Sequence, residues 1–429
     1  MKKAETIEEI YKVFAPEIFL TKDDLGFYVD LYKDDLKIFI TALKYNQIPT
    51  KSFFIAGQSG NGKSTVLSLL DVNYASIGEK YDLHYFSGKE TFAHDDINII
   101  DLLLMIGGYL IRDDEALQKE YFTKLNQLQE LNEGVLQIET QVVDKTDKMG
   151  SASASLNFGI NFLNILKSKG GLVTSYKANE ELRKTAKRVF KTKEKDLIAI
   201  VNDIIFDYKA KNNSDKELLM IIDDLEKRED IDKLFLKEIH HLDSLNMIKI
   251  ITMPIHLRRS QTFNTKDVRE FALKLNTMSG KANDKDRELL NQVIKRRIKN
   301  LNLINKKVID NAITHSGGNL RQIIKLIQLS ALDALSFDAP TIEQKELDYA
   351  VEFLQRSLSS PAMMMQTFLK DILINKALTI DTDESLEKLG KAIKMGLVFA
   401  YFNGKIWYEI NPLIKKILEE YIEITAKSR

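Results

Sequence analysis

Eight residues, Gly57-Gln58-Ser59-Gly60-Asn61-Gly62-Lys63-Ser64, constrain the fold of this 429-residue chain more than any other stretch. They fit G-x-x-x-x-G-K-[ST] without a departure. Lys51 to Gly57 (KSFFIAG) is a short apolar run ended by glycine, the pattern of a buried strand, and a helix is predicted from Lys63 onward. A strand, a glycine-rich turn and a helix in that order make a nest in which backbone amides converge on an anion and the helix start adds positive potential. The stretch Gly57–Thr65 is therefore expected to cradle a nucleoside triphosphate. Lys63 is expected to bridge its β- and γ-phosphates, and Ser64 to ligate Mg²⁺. The bland alternative, a chance glycine-rich turn, does not account for both flanks.

A matching motif lies about 160 residues on. Leu218-Leu219-Met220-Ile221-Ile222-Asp223-Asp224 is an apolar strand that ends in two carboxylates. Asp223 is expected beside the metal, through its water shell, and Asp224 is expected to polarise the attacking water, with Glu226 a competitor for that role. Thr252, near the end of the predicted strand Met247 to Met253, is a small polar side chain placed to orient water or touch the γ-phosphate; it is equally an ordinary strand residue. His315-Ser316-Gly317-Gly318-Asn319-Leu320-Arg321 opens an amphipathic helix, and Arg321 in its first turn could aim a guanidinium at the nucleotide.

Strands alternating with helices, followed by a helical block, predict an α/β core with a helical lid. Further strands are expected at Tyr81 to Phe86 and at Phe271 to Leu275, and a helical lead-in covers 1–50. The helical block runs from Asp286 through Ser336. Pro340 opens another helical stretch, and Pro361 opens the last unit. Near the end, Leu397 to Tyr401 and Ile406 to Ile410 flank Asn403-Gly404, the strongest short-range hairpin signal. Residues 148–171, rich in small side chains, read as a hairpin or mobile insertion.

Composition narrows the chemistry. With no cysteine, disulfides, thiolate metal sites and a cysteine nucleophile are excluded. Sixty-two basic residues balance sixty-two acidic ones, so any nucleic-acid footprint must be a local patch. Two charge blocks stand out: 113–148 has nine acids and four bases, and 166–196 has ten bases and four acids. They read either as solvated helical faces or as a docking surface. Six scattered histidines and no G-x-S-x-G leave no nuclease, protease or deaminase signature. The N-terminus lacks the apolar core of an export signal, and Ile97 to Ile111, interrupted by Asp101, is too short for a membrane span of about 20 residues. A cytoplasmic protein is expected.

GQSGNGKS, IIDD, a polar residue after the next strand and SGGNLR in a helical block together resemble the AAA+ ATPases, nearest to the branch with the origin-recognition proteins and the related STAND signalling ATPases. The resemblance spans roughly Asp35 to Ser336. It implies a P-loop NTPase (AAA+-like) parallel-sheet core that binds ATP and Mg²⁺ and hydrolyses the nucleotide. Thr252 then takes the place of sensor 1 and Arg321 that of sensor 2. An arginine finger reaching a neighbouring subunit is implied too, with Arg258, Arg259, Arg296 and Arg297 as candidates, and so is a homo-oligomer or a hetero-complex. The C-terminal helices and hairpin look like the winged helix that this branch often carries. On this reading the domains are a lead-in over 1–50, an ATPase core over 51–280 with an insertion at about 97–215, a lid over 281–340 and a winged-helix-like domain over 341–429. Two departures stand: the insertion is long, and aspartate follows Asp223 where glutamate is commoner.

Two purposes for hydrolysis stay open. A regulatory switch, of the kind bacterial STAND-like members use in defence against phage with a separate effector protein, suits the near-neutral C-terminal region, where 361–429 has ten bases and nine acids. A DNA-binding initiator or loader suits 281–335, with eleven bases and five acids.

Overall fold

A computed structural model describes residues 1–18, 20–92, 96–143, 180–212, 215–228, 231–276, 283–376 and 382–427. Its sheet has five strands: β1 (Ser52–Ala56), β2 (Tyr81–Ser87), β3 (Glu217–Asp223), β4 (Ile248–Met253) and β5 (Asp267–Glu270), hydrogen-bonded in the order β2-β3-β4-β1-β5. β2 pairs with β3 in parallel, Tyr81 opposite Glu217 through Ser87 opposite Asp223, and β3 pairs with β4 in parallel, Leu219 opposite Ile248 through Ile222 opposite Ile251. β1 and β4 are also parallel, because their bonds advance together, from Lys249 N to Lys51 O and on to Gly57 N to Met253 O. Every residue of β1 and β4 is buried, which is why both read as mainly apolar runs rather than alternating ones, even with Lys249 and Thr252 inside β4.

The order explains where a ligand belongs. From β1 the chain leaves for the far edge at β2, steps back through β3 and β4, and then crosses to β5 on the other side of β1. The order reverses beside β1, and the carboxyl ends of strands at such a reversal are where open parallel sheets bind ligands.

The chain divides into two units. One comprises Met1–Tyr45, Phe54–Ile77 and Thr252–Arg429; the other comprises Asn46–Phe53 and Gly78–Ile251. The first has a helical core in which Ile7, Ile10, Ile309, Ile313, Ile323 and Leu326 are buried together. It ends in an antiparallel hairpin, β6 (Val398–Phe402) and β7 (Ile406–Ile410), with Gly404 at φ 86° in the turn. Trp407 stacks on Tyr401 at 4.6 Å and bonds Asn403 Oδ1 through its ring nitrogen.

In the second unit the apolar helix Ile99–Leu110 is capped by Asn98, whose side chain accepts from Asp101 N at 3.1 Å while Asp101 Oδ2 accepts from Asn98 N at 2.9 Å. Asp101, only 1% exposed, also pairs with Lys187 at 2.9 Å and faces Arg183. That buried cluster answers two sequence questions. It shows why an acid interrupts the most apolar stretch, and it draws two cations of the basic block at 166–196 into internal ion pairs. Among the described residues no helix is long and apolar enough to cross a membrane.

Two expectations need correction. The fifth strand is Asp267–Glu270, not Phe271 to Leu275. Phe271 N still bonds Ala56 O, but the chain then leaves the sheet: Leu273 pairs with Tyr401 of β6 and is buried under the hairpin, while Leu275 joins the helical core. Pro361 opens no unit; it lies inside the helix Gln344–Met364. The helix continues through it because Leu347, Ala350, Val351 and Ala362 are buried along it, and that packing outweighs one lost backbone bond. The insertion expected at 148–171 lies outside the described residues.

Candidate functional site

The glycine-rich loop leaves the carboxyl end of β1 and enters the helix Lys63–Ser68. Gly60 has φ 87°, and a Cβ there would lie 2.6 Å from Asn319 Oδ1, so backbone conformation and space both demand glycine. At Gly57 a Cβ would meet Phe271 O at 2.8 Å. The loop is held mostly by long-range side-chain bonds. Arg321 Nη1 donates to Ser59 Oγ at 2.8 Å, Arg321 N to Gly60 O at 3.1 Å and Asn319 Nδ2 to Ser59 O at 2.9 Å. Tyr32, stacked on Phe271 at 4.5 Å, donates its hydroxyl to Asn61 O at 2.9 Å, and Asn61 Nδ2 donates to Phe271 O at 3.0 Å. Gln58 Oε1 accepts from Ala400 N of β6 at 2.7 Å.

Lys63 is 4% exposed, and its ammonium donates to Gly57 O at 3.1 Å and Gln58 O at 3.0 Å. The cation of the motif thus satisfies the loop's own carbonyls. Ser64 and Thr65 follow on the first turn of the helix, half-buried. Thr252 is fully buried as the second-to-last residue of β4, one residue before Met253, whose carbonyl accepts Gly57 N. Phosphate loop, Thr252 and Arg321 therefore share one unit, with Arg321 directly on the loop.

The second unit holds the carboxylates. Asp223 ends β3 with no exposed surface, and Asp224 and Glu226 are 4% and 6% exposed. One carboxylate oxygen of each lies within 4.8 Å of the others. Asp224 has φ 64°, a left-handed conformation that side chains of its kind tolerate but rarely adopt. Its amide donates to Asp223 Oδ1 at 2.7 Å, and its carboxylate pairs with Lys227. Tyr85 of β2 donates its hydroxyl to Asp223. Three buried carboxylates are hard oxygen donors of the kind Mg²⁺ takes, so the chemistry of the set fits that ion.

Sequence reading missed Tyr85, Lys227, Tyr32 and the loop bonds of Asn319. Lys227, three residues after Asp224, was within reach of a local argument. Tyr85 was not, because its approach to Asp223 depends on a parallel register between segments 138 residues apart.

The candidate arginine fingers all make bonds within the chain. Arg258 pairs with Glu270 at 2.7 Å, Arg259 donates to Ile406 O at 3.1 Å, and Arg296 donates to Tyr28 O. Arg297 is buried, donates to Val293 O at 2.8 Å, and has its pKa pulled down to about 10 by desolvation.

No protein-family model matches the chain, and no curated protein does. Solved structures do. The Aeropyrum pernix ORC1 protein in complex with DNA is 9% identical, with 97% of this chain and 96% of that one covered at a TM-score of 0.40. Drosophila ORC bound to DNA is 10% identical, with 98% and 93% covered at 0.39. The Aeropyrum pernix ORC2 protein, in ADPNP-ADP complexes, is 11% identical, with 96% and 98% covered at 0.37.

Proposed function

We propose that this chain is a Mg²⁺-dependent ATPase of the AAA+ type, allied to the origin-recognition and STAND-like branch, and that it works as a nucleotide-driven regulatory switch. The observation that carries the reading is the complete phosphate loop at the carboxyl end of β1, bound through Ser59 and Gly60 by Asn319 and Arg321. A triphosphate in the loop would take over Lys63 from the carbonyls of Gly57 and Gln58. Arg321 would bring its charge to the same phosphates, so occupancy would be felt in the helix Leu320–Ser336. Ser64 and Asp223 would hold Mg²⁺, which neutralises phosphate charge when bound. Asp224 is assigned to orient the attacking water, and Thr252 to support it.

The winged-helix reading of the C-terminal region, the oligomer and an effector as separate partner belong to this proposal by resemblance, as does a role in defence against phage. A DNA-binding initiator is the second reading, since 281–335 carries a basic excess. Much of that excess is engaged at home: Lys285 pairs with Asp34, Lys299 with Glu5, and Arg296 and Arg297 bond backbone carbonyls. That internal pairing favours the switch.

The deciding experiment is ATP turnover with and without duplex DNA, at moderate salt and several protein concentrations. Turnover indifferent to DNA is expected. Stimulation by DNA that disappears as salt rises would replace the switch with the initiator, and no turnover under any condition would remove the ATPase assignment.

A further inference from the structure

The geometry points to a positioning role for the C-terminal hairpin: β6 holds the phosphate loop through Gln58, and nucleotide binding releases that hold. The inference rests on the proposal that the loop binds ATP.

Ala400 lies opposite Tyr408 in the hairpin, yet its own amide and carbonyl point the other way. The carbonyl accepts Leu273 N at 3.3 Å, and Leu273 O in turn accepts Phe402 N at 2.9 Å, so the segment after β5 lines the outer edge of β6 in parallel. Continuing that ladder would bring the Phe271 carbonyl to Ala400 N. The carbonyl is turned instead to Asn61 Nδ2, a side chain of the loop. The vacated acceptor position at Ala400 N is filled by Gln58 Oε1, another side chain of the loop. Two loop residues thus replace one rung of a strand ladder. The seat is dry: Ala400 is fully buried and Gln58 is 4% exposed.

The same carboxamide leaves its donor Nε2 buried without a hydrogen bond among the described residues, so Gln58 is satisfied on one side only. The backbone carbonyl of Gln58 is one of the two that Lys63 holds. Drawing Lys63 to a phosphate frees that peptide, and the half-satisfied side chain has less to keep it on Ala400. Tyr401, the next residue of β6, donates to Gly317 O at 2.8 Å, so movement of the hairpin also reaches the turn before Asn319 and Arg321.

The test uses the full-length protein. Amide exchange at Ala400, resolved to the single residue by fragmentation mass spectrometry, is followed with and without Mg²⁺ and a fluorescent ATP analogue whose binding is read in parallel. Exchange is expected to rise about three- to tenfold when the analogue binds, the range that follows from one hydrogen bond. Proline at position 400 removes the amide donor while leaving the bonds between β6 and β7 in place. Because coupling is reciprocal, Ala400→Pro should bind the analogue more tightly by a similar factor. A merely structural contact would give the opposite sign, since damage near the loop weakens binding. Exchange that is unchanged or slower while the analogue is bound overturns the inference, and so does unchanged or weaker binding by a folded Ala400→Pro. If that variant does not fold, the exchange measurement on the unaltered protein decides alone. Absence of any analogue signal removes the ATP-binding reading and this inference with it, whereas binding without a change at Ala400 removes only the inference.

Discussion

The phosphate loop and the carboxylate cluster at the end of β3 are both buried polar sites at the carboxyl end of a sheet strand, yet they are held in different ways. The loop is shaped by partners far away in sequence: Tyr32 before it, and Phe271, Asn319, Arg321 and Ala400 long after it. The cluster is mostly local, with Asp223, Asp224, Glu226 and Lys227 within five residues and Tyr85 and Ser87 reaching it from the neighbouring strand. A site assembled from distant segments can report a ligand to those segments. A site assembled locally is rigid ground for chemistry.

Five substitutions sharpen or break that contrast. Asp224→Asn should leave ATP binding intact and slow turnover by roughly a hundredfold or more, the usual scale for loss of a positioned base. Asparagine tolerates the left-handed backbone at this position, so the melting temperature should stay close to that of the unaltered protein. Near-normal turnover would move the role to Glu226.

Lys63→Ala should weaken ATP about a hundredfold, since one or two charge-assisted bonds at about 1.5–3 kcal/mol each are lost. Calorimetric titration with ATP reads the change directly, and unaltered affinity would break the assignment of the loop.

Gly60→Ala sets the two regions side by side with Gly88→Ala. Alanine at 60 meets a left-handed backbone costing about 1–2 kcal/mol as well as Asn319 Oδ1 at 2.6 Å. At 88 the first obstacle, at 2.8 Å, is the end of the flexible Leu225 side chain, although Asp223 O also lies at 3.1 Å. A larger drop in melting temperature is therefore expected for Gly60→Ala, with loss of ATP affinity beside it. Equal losses would show the loop to be no more constrained than its counterpart.

Arg321→Ala should have the smallest effect. The side chain is exposed and its bond to Ser59 is single, so about three- to tenfold weaker ATP binding is expected, with a greater loss of turnover than of affinity if it acts on developing phosphate charge. A loss confined to thermal stability would make it a structural tether.

Much of this molecule could be read locally. Four of the five sheet strands lie within about a residue of their predicted places because each is a short apolar run with a clear stop, and β6 and β7 flank Asn403-Gly404 as expected. The fifth was misplaced because Phe271 to Leu275 is as apolar as a strand; whether such a run packs in the sheet or under a hairpin is settled by what else reaches it. Pro361 misled for a similar reason, since local stiffness signals an end that helix packing overrides.

What the sequence by itself determined is the chemistry in hand: a loop with glycines where backbone must turn or pass closely, a lysine and a serine at the helix start, and carboxylates closing an apolar strand. These are properties of neighbouring residues, so spacing expresses them. Only the tertiary structure decided the strand order that puts β1 at the reversal, the register that brings Tyr85 to Asp223, and the seating of Gln58 on Ala400. Those depend on pairings across tens to hundreds of residues, where a shift of one position would turn Tyr85 away from Asp223 and no local pattern records which partner prevails.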